Sequence, residues 1–471
     1  MSAETACQIM GGTLANPALA GRRWRGVSVD TRTLRRGNAF FCLRGETTDG
    51  HRFAPTAAEE GAGAIVAERK AMNRWRPWPL PVIGVDDPLT ALGDLAAAYR
   101  RGFPTRFVAV TGSVGKTTTK ELIATVLSSK YPVFKSPGNY NNLIGIPLAL
   151  LGRSRRAGGS SDLGVLEFGM STPGEIARLT EIVSPSWGVV TRIGAAHLMQ
   201  MKSLAAVARA KRELFDHAQA DLVAFLNIDD PYQRRWMAHW DRRTVTYGVV
   251  RGGDYSADEI TPTSHGVRFR VNGRHRFELP LAGEYNVPNA LAAIAVGRHL
   301  GIGFAAMVEP LRRVRAAAHR SRIVRLGGVT LIEDCYNANP TSMLAALQSL
   351  AGWPGRGRRI AVLGAMRELG EAARQWHRQV GRAAASLDLV VTVGKDAQEY
   401  QRGVKTGRAA WTEVRDRSAA ITALRRELRV GDVILLKASH TEAFEQIAQA
   451  LRVHLKGHRT TIAARDRLAK A

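Results

Sequence analysis

Cysteine is almost missing from this sequence. The three present, Cys7, Cys42 and Cys335, form no C-x-x-C pair. That excludes a disulfide scaffold and a zinc ribbon and fits a reducing compartment. Aromatic residues are few, at 7% of the chain, and none falls in the pattern of an RNA-stacking motif. Long apolar runs are lacking too. Ser136–Gly152 is uncharged, but Pro137, Pro147, Asn139, Asn141 and Asn142 interrupt it, so it does not read as a membrane span. The first twenty residues have neither the basic segment nor the apolar core of a secretory leader. A cytoplasmic protein that is not integral to a membrane is expected. Acidic residues are in short supply, 41 against 67 Lys and Arg, for a net charge of +26. Such a balance raises nucleic acid or an anionic membrane surface as partners. The excess is mostly arginine spread along the chain, with no zinc finger or other nucleic-acid motif. It therefore fits an arginine-rich proteome or an anionic substrate, with peripheral contact to an anionic membrane as a further option and no nucleic-acid partner expected.

What is there is an ordinary globular composition, 45% hydrophobic and 23% charged. At roughly 150 residues per domain, 471 residues suggest about three. Residues 1–103 read as short strands and turns with helices, and Phe103-Pro104 reads as a linker. Residues 104–316 alternate buried-strand runs ("FVAVTG", "LGVLEFG", "WGVVTRIG", "DLVAFLNID") with amphipathic helices, as in a doubly wound parallel sheet. Segments after about residue 245 ("RTVTYGVV", "GVRFRV", "HRFELPL") read as antiparallel strands, followed by the helix "NVPNALAAIAVGRHLG". Residues 317–471 form a third α/β unit with strands "VTLIEDCY", "RRIAVLGA", "LDLVVTVG" and "DVILLKAS". The basic tail from His458 reads as an appended or frayed helix. The fold class is α/β in three domains.

The most specific local signal is "GSVGKTT", Gly112, Ser113, Val114, Gly115, Lys116, Thr117 and Thr118, between a strand and a helix. Backbone N–H groups of such a turn and the positive end of the helix favour phosphate oxygens. Lys116 supplies a mobile cation, and the Thr117 hydroxyl suits Mg²⁺. The motif is a phosphate loop of the shorter TGSxGKT form. A phosphate loop alone names no reaction.

Further motifs follow in order: "SPGNYNNLIGIPLALL" at 136–151, "LEFGMSTPGEI" at 166–176, "TRIGAAHL" at 191–198 and "ARAKREL" at 208–214. "GEYNVPNALAA" at 283–293, "EDCYNANPTSM" at 333–343 and "LGAMRELGE" with His377 complete the series. Across nearly the whole chain the set resembles the Mur ligase family, ATP-dependent enzymes that form amide bonds in peptidoglycan synthesis. "YNANPTSM" most resembles the member that adds D-alanyl-D-alanine (D-Ala-D-Ala) to UDP-MurNAc-tripeptide. "VSVDTRTLRRGNAFFCLRGETTDGHRF", with Thr31 and Arg32, resembles the family's uridine-nucleotide-binding domain. The resemblance implies a UDP-binding N-terminal domain, a central P-loop ATPase-type domain and a Rossmann-like C-terminal domain. It also implies a monomer that passes through an acyl phosphate.

The resemblance assigns residues as well. Lys116, Glu167, His197 and Lys211 become catalytic, and Thr117, Glu167, His197 and Lys211 hold two Mg²⁺ ions, Lys211 as a carbamate formed with CO₂. Carbamate formation needs a neutral amine, and an ordinary lysine with a pKa of about 10.4 offers little at pH 7; desolvation would raise that fraction. Asn289 is implied to read adenine, with Asn286 equally suited to capping the helix. Arg320 and Asp334, fourteen residues apart as in the family, reach the nucleotide when the C-terminal domain closes. Asn139, Asn141 and Asn142 either line the substrate cleft or serve as turn residues. Tyr336, Asn337 and Asn339 meet ATP or the incoming dipeptide.

Several positions depart from the family pattern. Its "GDM" reads "GAM" with Ala365, and its "KGSR" reads "KASH" with Ser439 and His440. Histidine cannot reproduce the bidentate grip of arginine on a carboxylate. Tyr285 replaces a usual His, and Val114 a usual Asn. The main rival is therefore a related ligase with a different amine substrate. A basic P-loop ATPase stimulated by nucleic acid gives no reason for Glu167, His197 and Lys211. A non-enzymatic scaffold is disfavoured by the intact Lys116 and Thr117.

Overall fold

The computed structural model describes residues 1–75, 78–153 and 162–468. The chain divides into two compact units. One holds Met1–Ala109, Tyr131–Trp187 and Glu213–Leu222; the other holds Val110–Lys130, Gly188–Arg212 and Val223 onward.

In the first unit, the run "AIVAE" becomes the strand Ala64–Glu68, with its first four residues fully buried. An apolar run hidden on both faces is what a central parallel strand requires. It lies in a five-stranded sheet ordered Thr13–Leu14, Val82–Val85, Ala64–Glu68, Ala39–Phe41, Val27–Ser28, with only the first strand antiparallel. The helix Pro88–Arg101 covers it. Asp87 caps its start by accepting from the Leu89 and Thr90 N–H groups, and Pro88 takes the first turn, where no N–H is needed. Leu92 and Leu95 then pack with Phe41, Val66 and Ile83. The strand Leu163–Glu167 pairs in parallel with Val133–Lys135 in the same unit.

In the second unit, the helix Lys116–Leu127 packs against Val287–His299. The latter is buried almost all round, from Val287 and Asn289 through Gly297, so it carries almost no polar face. Tight packing needs Gly297, since a Cβ there would lie 2.5 Å from Val126 Cγ1. The strand Thr244–Gly248 differs from its sequence reading. It runs parallel to Val223–Asn227, and only the hairpins of Tyr255–Thr263, Gly266–Val271 and His275–Leu279 are antiparallel. The helix Pro231–Met237, capped by Asp230, returns the chain as a crossover and so sets the parallel direction.

The same unit contains a six-stranded sheet ordered Arg322–Leu326, Val329–Glu333, Val433–Lys437, Arg359–Leu363, Leu389–Val393, Ala410–Val414. All neighbours are parallel except the first pair. That pair is a hairpin turned by Gly327 and Gly328, both at positive φ (57° and 78°), as a two-residue hairpin turn requires. Successive residues feed opposite cores: Ala361 and Leu363 one, Ile360 and Val362 the other. Helices therefore cover both faces. The tail beyond His458 continues the helix Glu445–Leu468; residues 469–471 lie outside the described residues. Among the described residues no helix is long and apolar enough to cross a membrane.

Candidate nucleotide and ligase site

The strand Arg106–Thr111 enters the phosphate loop and the helix Lys116–Leu127 leaves it. Two glycines make the turn possible. Gly112 (φ 144°) and Gly115 (φ 84°) take backbone conformations that favour glycine. A Cβ on Gly112 would lie 2.0 Å from Thr191 Oγ1, and one on Gly115 would lie 2.4 Å from Asn289 Oδ1. The loop is pinned from behind. Ser113 N–H donates to Arg192 O (2.7 Å), and the Ser113 hydroxyl donates to Gly194 O (2.9 Å) while accepting from Gly194 N–H (3.0 Å). Both polar groups of Ser113 thus hold the loop. Thr191 Oγ1 lies 2.6 Å from Val114 O and 3.2 Å from Thr111 O. Anchoring at Val114 therefore goes through its carbonyl and needs no asparagine side chain.

Lys116 Nζ donates to Gly112 O (3.0 Å), folded back over the loop. Thr117 is buried in the first turn, where helix N–H groups have no intrahelical acceptor. Thr118 lines a small cleft with Leu122, Leu281, Val314, Ala317 and Arg320. Asn289 sits behind the loop. Its Oδ1 accepts from Thr119 Oγ1 (3.2 Å), and its amide donates to Asn286 Oδ1 (3.1 Å), while Asn286 donates to Ala282 O (2.8 Å). Asn286 occupies the helix-capping position without a side-chain cap bond.

Sequence reading gave Thr191 no role, although it follows a buried strand directly. Thr191→Val is expected to lower stability by about 1–3 kcal/mol, the usual cost of leaving a buried acceptor unsatisfied. It should also raise the KM for ATP more than it lowers kcat. Thermal melting and ATP saturation curves check both.

In the first unit, Glu167 closes its strand at 2% exposure and accepts from Asn141 Nδ2 (2.9 Å). Asn142 serves the turn, accepting from the Gly145 N–H (2.8 Å), and Asn139 is exposed. Thr31 and Arg32 lie in a turn capped by Asp30, whose carboxylate accepts from the Arg32 N–H and grips its guanidinium. Those bonds hold the Asp30 carboxyl below its usual range. The Arg32 side chain remains 86% exposed.

In the second unit, Lys211 is 1% exposed within the helix Leu204–Asp216. His197 takes φ 55°, and its Nδ1 lies 2.6 Å from Glu368 Oε2. At the carboxyl ends of the six-stranded sheet, the Arg320 guanidinium lies over the Tyr336 ring (3.9 Å to its centre), with the His440 ring 5.5 Å away. Arg320 is flanked by His319 (φ 57°) and Ser321 (φ 51°). Asp334 accepts from Ser321 N–H (3.0 Å) and Lys437 Nζ (2.6 Å). Lys437 is buried and also donates to Asn337 O (3.2 Å), so one ammonium ties the loop together. Asn339 forms a reciprocal cap with Ser342 at the helix Pro340–Ala351. The Asn337 side chain accepts from Ala338 N–H. Ser439 N–H donates to Ala365 O (3.0 Å), and Tyr285, partly buried, meets Ser321 Oγ through its hydroxyl (2.9 Å).

A glycine cradle that a Cβ would fill, a lysine over it and a buried threonine at the helix start fit a nucleotide's phosphates. The buried Thr117 hydroxyl at the start of the helix is an oxygen donor of the kind a hard divalent cation takes. With parallel sheets beneath, this defines a nucleotide-dependent P-loop protein of the α/β class. Family models match residues 23–100 (Mur ligase family, catalytic domain), 110–297 (Mur ligase middle domain) and 319–440 (Mur ligase, glutamate ligase domain). The chain belongs to the Mur ligase family. It is 36% identical over 453 residues to the UDP-N-acetylmuramoyl-tripeptide–D-alanyl-D-alanine ligase of Bacillus subtilis (strain 168), covering 94% of this chain and 96% of that one. The Escherichia coli (strain K12) enzyme of the same name is 36% identical over 436 residues, covering 90% and 93%. The crystal structure of MurF from Acinetobacter baumannii matches with TM-score 0.86 and 29% identity, over 96% of this chain and 98% of that one. MurF of Thermotoga maritima in complex with ADP matches with TM-score 0.82 and 28% identity, over 92% and 98%.

Proposed function

We propose that the chain is an ATP-dependent ligase that joins D-alanyl-D-alanine to UDP-MurNAc-tripeptide, giving the pentapeptide used in peptidoglycan synthesis. The observation that carries this reading is the phosphate cradle at Gly112–Thr118 with Lys116 folded over it, in a chain of this family. Residues 1–103 bind the UDP-linked peptide, 104–316 hold ATP, and 317–471 close over ATP and the amine. Lys116 and the loop amides bear the γ-phosphoryl charge as it passes to the tripeptide carboxylate. The dipeptide amine then attacks the resulting acyl phosphate, an amide C–N bond forms, and inorganic phosphate leaves with the activated oxygen. Thr117, Glu167, His197 and Lys211, the last as a carbamate, would hold two Mg²⁺ ions, whose charge would offset that of the triphosphate and the carboxylate. The protein acts as a cytoplasmic monomer.

The test incubates the protein with ATP, Mg²⁺ and UDP-MurNAc-tripeptide, with and without D-Ala-D-Ala, and reads phosphate release and product mass. The expected result is phosphate release that needs both substrates, with a mass gain of one dipeptide less water. Ala365 and His440 favour a second reading, a changed amine. Tripeptide binding without use of the dipeptide would select it.

A further inference from the structure

The backbone around Arg320 is pinned on both sides. Its neighbours His319 and Ser321 are non-glycine residues at positive φ, 57° and 51°. Such conformations persist only where their surroundings over-determine them, and they gather at ligand clamps. Arg320 N–H donates to Ala317 O (3.1 Å), and Tyr336 N–H donates to His319 O (3.1 Å). Ser321 N–H donates to Asp334 Oδ1 (3.0 Å), and Ser321 O accepts from Ala282 N–H (3.0 Å).

The side chain is held by other means. Its guanidinium carbon lies 3.9 Å from the centre of the Tyr336 ring, well inside cation–π range. Among the described residues no carboxylate pairs with this guanidinium and none of its N–H groups is spent on a hydrogen bond. Arginine carries five N–H donors in a planar fork and keeps its charge in proteins. A ring beneath the plane steadies the group and leaves the donor edge open. That edge is the part that forks onto phosphate oxygens. Arg320 is partly buried, and it lines a small cleft together with Thr118, the residue that follows Lys116 and Thr117 in the phosphate loop.

We infer that Tyr336 is a positioning residue: its ring presets the Arg320 guanidinium, donor edge free, to receive phosphate oxygens of the bound nucleotide. The inference rests on the ATP-ligase reading, with Arg320 as the arginine that reaches the nucleotide. A guanidinium set in advance loses less side-chain freedom on binding. The tyrosine hydroxyl has no part in this, and neither does direct contact between Tyr336 and the nucleotide.

The experiment measures affinity by calorimetry on the full-length protein, with ADP and with a non-hydrolysable ATP analogue, both in the presence of Mg²⁺. Wild type, Tyr336→Phe, Tyr336→Leu, Arg320→Ala and the double variant Arg320→Ala/Tyr336→Leu are compared. Arg320→Ala should weaken binding about 10-fold or more, the scale of lost hydrogen bonds to a charged group. Tyr336→Leu, which keeps apolar bulk without a π face, should weaken it about 3- to 10-fold, and Tyr336→Phe should stay within about 2-fold of wild type. The double variant should bind as Arg320→Ala does. Tyr336 is partly buried, so melting curves accompany each titration, and Tyr336→Met replaces Tyr336→Leu if the latter does not fold. If Arg320→Ala leaves affinity unchanged, the role of Arg320 falls and the inference with it, while the ligase reading is judged separately by phosphate release with both substrates. If Arg320→Ala weakens binding but Tyr336→Leu does not, the positioning role is overturned. The same follows if Tyr336→Leu costs as much without Arg320, or if Tyr336→Phe costs as much as Tyr336→Leu.

Discussion

Replacing Lys116 by alanine is expected to stop ligation while leaving the UDP-linked tripeptide bound. The ammonium donates to Gly112 O and lies over the loop. It is the mobile cation best placed to follow charge onto a transferring phosphoryl group. Removing one preorganised charge-stabilising donor costs about 10²–10³-fold in kcat, and more where the lost group carries a full charge. The fold should survive, because Gly112 and Gly115 shape the loop and Thr191 and Ser113 anchor it. Phosphate release should fall below detection in a steady-state assay. Calorimetric binding of UDP-MurNAc-tripeptide should match wild type. A Lys116→Ala protein that still ligates would remove the phosphate loop from the chemistry.

Lys211→Ala is expected to be nearly as damaging and, unlike Lys116→Ala, partly recoverable. The side chain is 1% exposed, and a lysine held away from water carries its charge at a cost. On the proposed reading, reaction of its neutral amine with CO₂ would form an N–C bond, release a proton and leave a carbamate anion able to provide oxygen ligands for a second Mg²⁺. Alanine removes the ligand and opens space where acetate can sit. Activity should drop about 10²-fold or more, on the scale of a lost electrostatic stabiliser, and rise again with millimolar acetate or formate. Lys211→Met keeps the buried stem and should be inactive with or without acetate. A Lys211→Ala protein that melts like wild type and responds to no carboxylate would sink the carbamate.

Much of this architecture was legible because its strands are short, apolar and bounded by turns. "FVAVTG" followed by Lys-Thr-Thr needs no partner to be read as a strand, loop and helix. Other parts depend on what the chain meets after folding. Thr244–Gly248 alternates like a hairpin strand, and only the short crossover helix Pro231–Met237 makes it parallel. Arg322–Leu326 is an edge strand with arginines at both exposed positions, so its apolar signal is weak, although Gly327-Gly328 marks the turn.

The supporting residues were the least visible. Thr191 meets Val114 across 77 positions and Lys437 meets Asp334 across 103, and nothing local to either residue announces its partner. Tyr285, a departure from the family pattern, turned out to reach Ser321 with its hydroxyl, a role no periodicity could reveal. The asparagines diverged for a similar reason: Asn141 faces Glu167, whereas Asn142 spends its carbonyl on its own turn.

The scarcity of cysteine has a practical side. Cys7, Cys42 and Cys335 are all buried. Burial pushes each thiol up, Cys335 to about 12 and Cys42 further, so little nucleophilic thiolate exists at neutral pH. The natural protein is thus a quiet background for maleimide chemistry. One cysteine introduced beside Arg32 and another on the exposed face of the helix Arg417–Glu427 would take spin labels or fluorophores with little competition. The distance between the labels could then be followed through each stage of the catalytic cycle.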